Sequence, residues 1–467
     1  MIKIYENIKT IKQSNLFYFI ESEECIEKLS ILNLEKTLLD KITKTIKEKE
    51  NTLLQFFLGG NNFESLFIAF YVNKDKSTLT EFLGENVTKL PNKFTILSNN
   101  KENLLSIVDN CLLSRYKFQQ YLTEKKEDEI NIVCEKEIRQ KLDDRLETIN
   151  NIIFARDLGE TPTSDLYPEL FVNKAKSLKF RKTKIKILTP RDIQKQGLGL
   201  LWAVGKGSIN KPFMLVLERI VNRKYPTIGI VGKGIVFDTG GINLKPEQWL
   251  YLMKDDMSGA GTVLALMKEL DRKNLNVNIV ACIPLAENSI SGEAYRPSDI
   301  LKAYNGKTVN VINTDAEGRL ILADGASYLS RNYKLDRVIT VATLTGACLF
   351  AIGYRYAGVM GTDKEIIDKL LSYSKENFEK YHELPFEKYY IEKTKSKIAD
   401  YDNLTEGIYA GATMGGAFIY NFLENNEKYT HIDIAGVANN SFEPYGLYTK
   451  TSTGFGVDSL SNLFLNM

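Results

Sequence analysis

From about residue 160 onward, short apolar runs alternate along the chain with stretches of helical periodicity. The apolar runs are KIKIL, FMLVLE, IGIVG, VNIVACIPL, VNVIN and RVITVATLTG, and the helical stretches include AGTVLALMKELDRK and EGRLILADGASYLSRN. Apolar strands interleaved with helices are typical of a largely parallel sheet that is buried on both faces. We therefore predict a C-terminal α/β domain with a mixed, largely parallel sheet flanked by helices.

The N-terminal part has a different character, since residues 1–120 are rich in Lys, Asn and Phe and carry few glycines. LNLEKTLLDKITKTIKEKE favours a helix, and LLQFFLGG and SLFIAFYV favour strands. An amphipathic helix is expected over Glu135–Leu158, ending at Gly159. These patterns predict a smaller N-terminal α/β domain at 1–130, a connecting helix at 131–158 and the larger domain at 159–467.

Composition and charge argue against several classes of protein. The 61 Lys and Arg against 59 Asp and Glu give a net charge of +2, which does not favour a nucleic-acid-binding surface. The longest uncharged run, 338–354, falls short of the ~20 residues of a membrane-spanning helix and favours a buried strand, turn and helix. Five scattered cysteines without CxxC are typical of reduced thiols, and the N-terminus lacks the pattern of a secretory signal. We expect a cytoplasmic protein without a membrane span.

The two histidines, His382 and His431, lie far from the acidic motifs in sequence. A Ser-His-Asp or Cys-His site would need one of them, and no GxSxG motif accompanies either. His431 stands in the apolar stretch HIDIAGVA, which favours a structural role. A metal site in this chain would therefore be built mainly from carboxylates.

The octapeptide NTDAEGRL at 313–320 is the strongest chemical motif. In an extended chain Asp315 and Glu317 project to the same side, Gly318 permits a tight turn, and Arg319 adds a fixed cation. Such a cluster is costly to bury unless a bound cation neutralises it. The alternative is an exposed turn with a solvated ion pair.

Two further segments carry similar residues. VGKGIVFDTGGINLK contains Lys233, Asp238 and Lys245, and MKDDMSGAGTVLALMKEL contains Asp256. Asp256 could instead cap the following helix. Four carboxylates suffice for two divalent ions, beside which one lysine could bind as a neutral amine and another could stabilise an oxyanion.

These segments closely resemble the cytosolic leucyl aminopeptidase family, whose members are hexameric enzymes with two metal ions. NTDAEGRL is the signature of that family. Further matches are ARDLGETPTSDLYP, LGLLWAVGKGS, ATLTGA and HIDIAGVA, so the resemblance covers roughly residues 150–467. It implies that the larger domain is the catalytic one and that the divergent N-terminal domain is a reduced form of the family's.

The resemblance implies a role for each motif residue. One ion would be held by Lys233, Asp238, Asp256 and Glu317, and the other by Asp238, Asp315 and Glu317, with the main-chain carbonyl of Asp315. Lys245 would polarise the scissile carbonyl. Arg319 would hold a bicarbonate that serves as general base for a metal-bridging water, the nucleophile. The substrate pocket would include Met253, Thr343, Leu344, Gly346 and Ala438, although small and apolar residues at strand ends are also ordinary core residues.

The activity implied is removal of N-terminal residues, leucine-like ones preferred, from peptide substrates by a homohexamer. Oxygen ligands suit Mg²⁺ or Mn²⁺, whereas the amine ligand and the resemblance favour Zn²⁺. Two other classes remain as alternatives. One is a DNA-binding regulator, against which the near-neutral charge counts, and the other is a two-metal phosphoesterase, which leaves Lys233 unexplained as a ligand.

Overall fold

The computed structural model describes residues 1–8, 11, 14–21, 34–49, 51–58, 63–71, 76–98 and 101–467. The chain divides into two compact units. The first comprises Met1–Ile149, Glu376–Phe378 and Phe442–Lys450, and the second comprises Asn150–Lys375, Glu379–Ser441 and Thr451–Met467. The domain boundaries predicted at 130 and 158 stay predictions.

The first unit is built around a six-stranded sheet. Its strands are β1 (Ile2–Tyr5), β2 (Ser14–Ile20), β3 (Thr52–Phe57), β4 (Phe63–Phe70), β5 (Lys93–Ser98) and β6 (Glu129–Val133), in the order β1-β6-β5-β2-β4-β3. Its helices are α1 (Lys36–Glu48), α2 (Lys76–Val87), α3 (Lys101–Leu113) and the first part of α4 (Lys136–Glu160). All pairs are parallel except β3 with β4.

An apolar core explains why these elements form. Helix α1 buries Ile42 and Ile46, one turn apart, in a cluster with residues of β2 and β4 such as Tyr18 and Ile68. The strands predicted from LLQFFLGG and SLFIAFYV and the helix predicted over 32–50 are present. Residues 32, 33, 50, 59, 60 and 72 of those predictions lie outside the described residues, as does Cys25.

The second unit carries the larger sheet. Its strands are β7 (Lys184–Leu188), β8 (Phe213–Arg219), β9 (Thr227–Gly232), β10 (Gly234–Asp238), β11 (Asn278–Asn288), β12 (Ile300–Lys302), β13 (Thr308–Asn310), β14 (Arg337–Ala342), β15 (Ala357–Gly361), β16 (Tyr381–Glu383), β17 (Tyr401–Asp402) and β18 (Lys428–Asp433). The order of the main sheet is β16-β15-β18-β14-β9-β11-β8-β7, and β10 pairs with β11. Strands β12, β13 and β17 form a separate small sheet.

Helices complete the second unit. They are the end of α4, α5 (Thr163–Leu166), α6 (Pro168–Ser177), α7 (Pro190–Gln196), α8 (Gly199–Gly205), α9 (Glu247–Leu250), α10 (Ser258–Leu270), α11 (Gly318–Asn332), α12 (Gly346–Ile352), α13 (Lys364–Glu376), α14 (Lys388–Glu392), α15 (Gly411–Tyr420) and α16 (Val457–Leu465). The centre of the main sheet is parallel, and antiparallel pairs occur toward its edges.

Helices α10 and α11 cover opposite faces of this sheet. On β9, the side chain of Val231 contacts α11 at Gly325, whereas the next residue, Gly232, faces Val263 of α10. Successive strand residues point to opposite faces, so the two helices sandwich the strand. This arrangement confirms the predicted sheet flanked by helices and explains why its strands are apolar throughout.

Three local predictions need comment. Helix α4 runs through Gly159 to Glu160, so the predicted stop at that glycine was wrong. VNVIN supplies β13 of the small sheet and no strand of the main one. Residues 338–354 form most of β14, a turn and α12, as predicted. In the described part of the chain, no helix has both the length and the apolar character that crossing a membrane requires.

Candidate metal centre

The residues singled out in three sequence segments meet at one edge of the main sheet. Lys233 joins β9 to β10, Asp238 ends β10, and Asp256 lies between a 3₁₀ turn at Met253–Asp255 and helix α10. Glu317 immediately precedes α11. Because ends of neighbouring parallel strands share one edge of a sheet, segments that are distant in sequence converge there.

Lys233 is a buried cation between two carboxylates. Its Nζ lies 2.7 Å from Asp256 Oδ1 and 3.0 Å from Glu317 Oε1, and it donates to Thr343 O at 2.9 Å. Burial alone lowers the pKa of this lysine, but Asp256, Glu317 and Asp238 together outweigh it and raise the pKa. With only carboxylates around it Lys233 is therefore charged, and a neutral amine would require additional positive charge nearby.

Lys245 makes the second bridge across the cluster. Its Nζ lies 2.9 Å from Asp238 Oδ2 and 2.5 Å from Asp315 Oδ1. These two carboxylates and Glu317 raise the pKa of Lys245 against the opposing effect of burial. Lys245 is therefore a fixed positive charge beside the carboxylates, as an oxyanion-stabilising group needs to be.

The carboxylates are close enough to hold cations together. One oxygen each from Asp238, Asp315 and Glu317 lie within 4.8 Å of one another. Burial raises the pKa of Asp256, and Lys233 only partly offsets this. Burial and the neighbouring Glu317 raise the pKa of Asp315. Ionised carboxylates at such spacing repel one another, so divalent cations would stabilise this arrangement.

Unsatisfied oxygens support the same conclusion. Asp256 Oδ2 and Glu317 Oε2 are buried and accept no hydrogen bond from the described residues. A buried carboxylate oxygen without a donor is costly, and a bound cation removes that cost. The donor set of carboxylates and one amine thus fits divalent metal ions.

Gly318 has a role that differs from the predicted one. It is the first residue of α11 and does not have a positive φ, so no tight turn depends on it. A Cβ at this position would instead lie 2.4 Å from Lys233 Cε. The glycine therefore makes room for the lysine.

The predicted extended conformation of the octapeptide was wrong. Thr314 and Asp315 form a turn, and Glu317 has helical angles of φ −77° and ψ −37°. Asn403 fixes the turn by accepting from the N–H groups of Ile312 and Asn313 at 2.7 and 3.2 Å. The alternative of a solvated ion pair also fails for Glu317, whose side chain is only 2% exposed.

The capping alternative for Asp256 fails as well. Met257 is the N-cap residue of α10, and among the described residues no side chain caps that helix. Asp256 Oδ1 instead accepts from Lys233 Nζ and, at 2.8 Å, from Thr343 Oγ1. Its carboxylate thus belongs to the cluster.

Arg319 is the second residue of α11 and is buried. Its Nη1 donates to Asn403 O at 3.1 Å, while its Nε makes no hydrogen bond to the described residues. Burial lowers the pKa of this guanidinium, and Glu317 and Asp433 oppose that effect. A buried donor of this kind fits a small anion.

The predicted pocket residues are distributed over three loops. Thr343 contacts Lys233 and Asp256 directly, Met253 starts the 3₁₀ turn that leads to Asp256, and Gly346 begins α12. Ala438 is buried in the loop after β18, where its N–H donates to Ile434 O at 2.9 Å. Leu344 is half-buried, and its N–H donates to Asp433. Their contacts with substrate stay predictions.

Several residues that shape the site were missed in the sequence. Asp433, the last residue of β18, accepts from Leu344 N at 3.1 Å and from Thr345 Oγ1 at 2.7 Å. Asn288 Nδ2 donates to Asp238 Oδ1 at 2.8 Å. Both are single polar residues at strand ends, and the sequence does reveal that position. Their hydrogen-bond partners, however, lie 50 or more residues away, so the local sequence does not reveal the contacts.

His431 has the structural role that its sequence context predicts. The ring is fully buried, and Nδ1 lies 2.7 Å from Thr340 Oγ1. Burial, with a smaller effect of Arg319, lowers the pKa of His431 to about 3, so the imidazole is neutral near pH 7.

Comparison with known proteins identifies the family. A model of the cytosol aminopeptidase family, catalytic domain, matches residues 153–461. The chain belongs to the cytosol aminopeptidase family. It is accordingly a metalloaminopeptidase of the leucyl aminopeptidase type, and this family assignment agrees with the carboxylate cluster described above.

Relatives and solved structures extend this assignment. A probable cytosol aminopeptidase of Persephonella marina is 36% identical over 370 residues, which cover 77% of this chain and 74% of the relative. One from Rickettsia bellii is 34% identical over 453 residues, 91% of this chain and 89% of the relative. The leucyl aminopeptidase of Trypanosoma brucei in complex with bestatin has a TM-score of 0.85 at 24% identity, covering 100% of this chain and 95% of that one. That structure shows the shared fold.

A second solved structure, of a maturation enzyme, shares the fold. The bottromycin maturation enzyme BotP in complex with Mn has a TM-score of 0.84 at 23% identity, covering 97% of this chain and 99% of that one. The match spans nearly the whole length of both proteins, so both units of this aminopeptidase belong to the common architecture.

Proposed function

We propose that this aminopeptidase uses two divalent ions to hydrolyse the N-terminal residue of peptides, with leucine-like residues preferred. The observation that carries the proposal is the group of Asp238, Asp315 and Glu317, whose oxygens lie within 4.8 Å of one another. The names of the relatives and the bestatin complex of a structural neighbour support the substrate class.

The proposed ligands divide between two sites. Lys233, Asp238, Asp256 and Glu317 would hold one ion, and Asp238, Asp315 and Glu317 the other. Bound divalent ions would polarise the scissile carbonyl and lower the pKa of a water that serves as nucleophile. The orphaned oxygens of Asp256 and Glu317 support these assignments.

Two cationic side chains would act during hydrolysis of the substrate. Lys245, held by ion pairs with Asp238 and Asp315, would stabilise with its positive charge the negative charge that develops on the carbonyl oxygen. Arg319 would hold bicarbonate through its unpaired Nε, and the bicarbonate would accept the proton of the attacking water. Met253, Thr343, Leu344, Gly346 and Ala438 would form the pocket for the first side chain.

The ions proposed are Zn²⁺ or Mn²⁺, with Mg²⁺ as a weaker candidate, because the set combines oxygens with one amine nitrogen. The Mn-bound structural neighbour supports this choice. A homohexamer in the cytoplasm is part of the proposal: the resemblance supports the hexamer, and the relatives' names support the location.

The experiment that tests the proposal compares two chromogenic amides after metal has been stripped with a chelator. Adding Mn²⁺ or Zn²⁺ should restore hydrolysis of leucyl p-nitroanilide but not of its N-acetylated form, because the free amine is needed for binding. Asp238→Ala should fold but retain less metal by elemental analysis. No activity with any divalent ion, or full metal content in Asp238→Ala, would overturn the proposal.

A further inference from the structure

Asn288 occupies a position that connects two metal-ligating segments. It is the last residue of β11 and lies opposite Asp238, the last residue of β10, in their parallel pairing. Its side chain is buried, with 1% of the residue exposed. The strand register therefore places a neutral amide directly beside a proposed bridging carboxylate.

The amide uses both of its hydrogens on these segments. Asn288 Nδ2 donates to Asp238 Oδ1 at 2.8 Å and to Thr314 O at 3.0 Å. Both partners are acceptors only, so the opposite orientation of the amide would set oxygen against oxygen. The hydrogen bonds thus determine which way Asn288 points.

The contact also determines which oxygen of Asp238 faces the cluster. Oδ1 accepts a second hydrogen bond, from Gly240 N at 2.9 Å, whereas Oδ2 lies 2.9 Å from Lys245 Nζ. Two neutral donors, Gly240 N and Asn288 Nδ2, therefore hold Oδ1. Oδ2 is directed toward the other charged groups.

The second bond of Asn288 reaches the residue that precedes Asp315. Thr314 is held from the other side by Asn243, which accepts from Thr314 N at 2.9 Å. A Cβ at Gly241, which has a φ of +67°, would lie 2.9 Å from both Asn288 Oδ1 and Thr314 Oγ1. The lack of a side chain at Gly241 therefore leaves the space that the amide of Asn288 and the hydroxyl of Thr314 occupy.

We propose that Asn288 is a positioning residue of the metal centre, whose amide sets the orientation of Asp238 and its placement relative to Asp315. This rests on the proposed two-metal function, because it assigns a role toward those ions. A neutral donor suits the task, since it orients the carboxylate without offsetting the negative charge that attracts the metal ions.

The test measures metal affinity by competition with a chromogenic chelator for Mn²⁺ or Zn²⁺. Asn288→Ala should bind metal on the order of 10-fold to 100-fold more weakly than the wild type. Its kcat at saturating metal should also fall, because Asp238 Oδ1 loses one of the two donors that orient it. Tyr295→Phe is the matched control, because Tyr295 OH donates its one hydrogen to the same Thr314 O, at 2.7 Å, and so cannot donate it to Asp238. It should bind metal like the wild type.

The outcomes separate this inference from the proposed function. If Asp238→Ala loses metal while folded Asn288→Ala binds it as tightly as the wild type, only the positioning role is wrong. If Asp238→Ala also keeps its metal, the metal centre itself is wrong. Should Asn288→Ala fail to fold, Asn288→Leu replaces it, since leucine fills a similar volume and donates no hydrogen. Wild-type affinity in Asn288→Leu, or equal losses in Asn288→Ala and Tyr295→Phe, would overturn the positioning role.

Discussion

Gly318 lies directly against the side chain of Lys233: a Cβ at position 318 would fall 2.4 Å from Lys233 Cε and 2.7 Å from Nζ. Helix α11 thus begins with a residue chosen for its lack of a side chain, although glycine disfavours helix by about 1 kcal/mol relative to alanine. The lysine, 85 positions earlier in the chain, therefore needs a residue without a side chain at the start of this helix.

Gly318→Ala is expected to disable the site while the fold is kept. Alanine favours the helix, but its methyl group displaces Lys233 from Asp256 and Glu317. We expect metal content by elemental analysis and leucyl amide hydrolysis to fall together, with circular dichroism unchanged. Gly292→Ala is the control, because no atom of the described part of the chain would lie within 4 Å of a Cβ there. Wild-type activity in Gly318→Ala would contradict the steric argument.

Lys245→Met should lower turnover without loss of metal. The substitution keeps the length of the side chain and removes the charge that would stabilise the oxyanion, a loss of about 10²–10³ in kcat for comparable donors. Elemental analysis should show unchanged metal, because Lys245 is not a proposed ligand. Lys211→Met removes a lysine paired with Glu293 at 3.1 Å and serves as control. A proportionate fall in metal and kcat would make Lys245 a structural residue.

Arg319 should determine the response to bicarbonate. In degassed buffer, added bicarbonate is expected to raise the wild-type rate, because the anion would be held by the unpaired Nε of this buried residue. Arg319→Ala should show little response, and Arg319→Lys should show a weaker one, since lysine keeps the charge but not the planar fork. The check is the rate as a function of bicarbonate concentration. An undiminished response in Arg319→Ala would remove this role.

Asp324 should make stability depend on pH. Its carboxylate accepts from Leu200 N, Leu201 N and Tyr304 N, and burial raises its pKa to about 7. In the unfolded chain the pKa is about 3.9, so between these values only the folded protein holds the proton. The contribution of protonated Asp324 to the free energy of unfolding is therefore present in full below about pH 4. It is lost as the pH rises through 7, by up to about 1.4 kcal/mol per pH unit.

The measurement for Asp324 is urea unfolding of the metal-stripped protein at several pH values. The wild type should gain free energy of unfolding relative to Asp324→Asn as the pH falls from 7 to 5. The comparison cancels the titration of groups that the two proteins share. A difference that is constant with pH would contradict the raised pKa.

The layered fold could be predicted because strands that are buried on both faces consist almost entirely of apolar residues. Strand β9 is apolar on both faces since Val231 and Gly232 meet different helices. The conformation of NTDAEGRL could not be predicted in this way. Its turn depends on Asn403, which is 90 residues from Asn313, and on Asn243, which is 71 residues from Thr314.

The site residues could be named from the motifs because charged groups at this density stand out in an apolar context. The groups that orient them are weaker signals. Asn288 is one uncharged residue at the end of an apolar strand, and its partner Asp238 is 50 residues away. Nothing in the local sequence states which carboxylate a distant amide will contact, since the strand register decides it.

The hydrogen bonds by which Asp433 holds the loop after β14 have an evolutionary consequence. Asp433 accepts hydrogen bonds from the main-chain N–H of Leu344 and the hydroxyl of Thr345, and these bonds involve neither the side chain of Leu344 nor Gly346. Substitutions at 344 and 346 can therefore alter the proposed substrate pocket while the hydrogen bonds to Asp433 keep the backbone of this loop in place. Substrate preference and the reaction itself can thus diverge independently among relatives that share this loop.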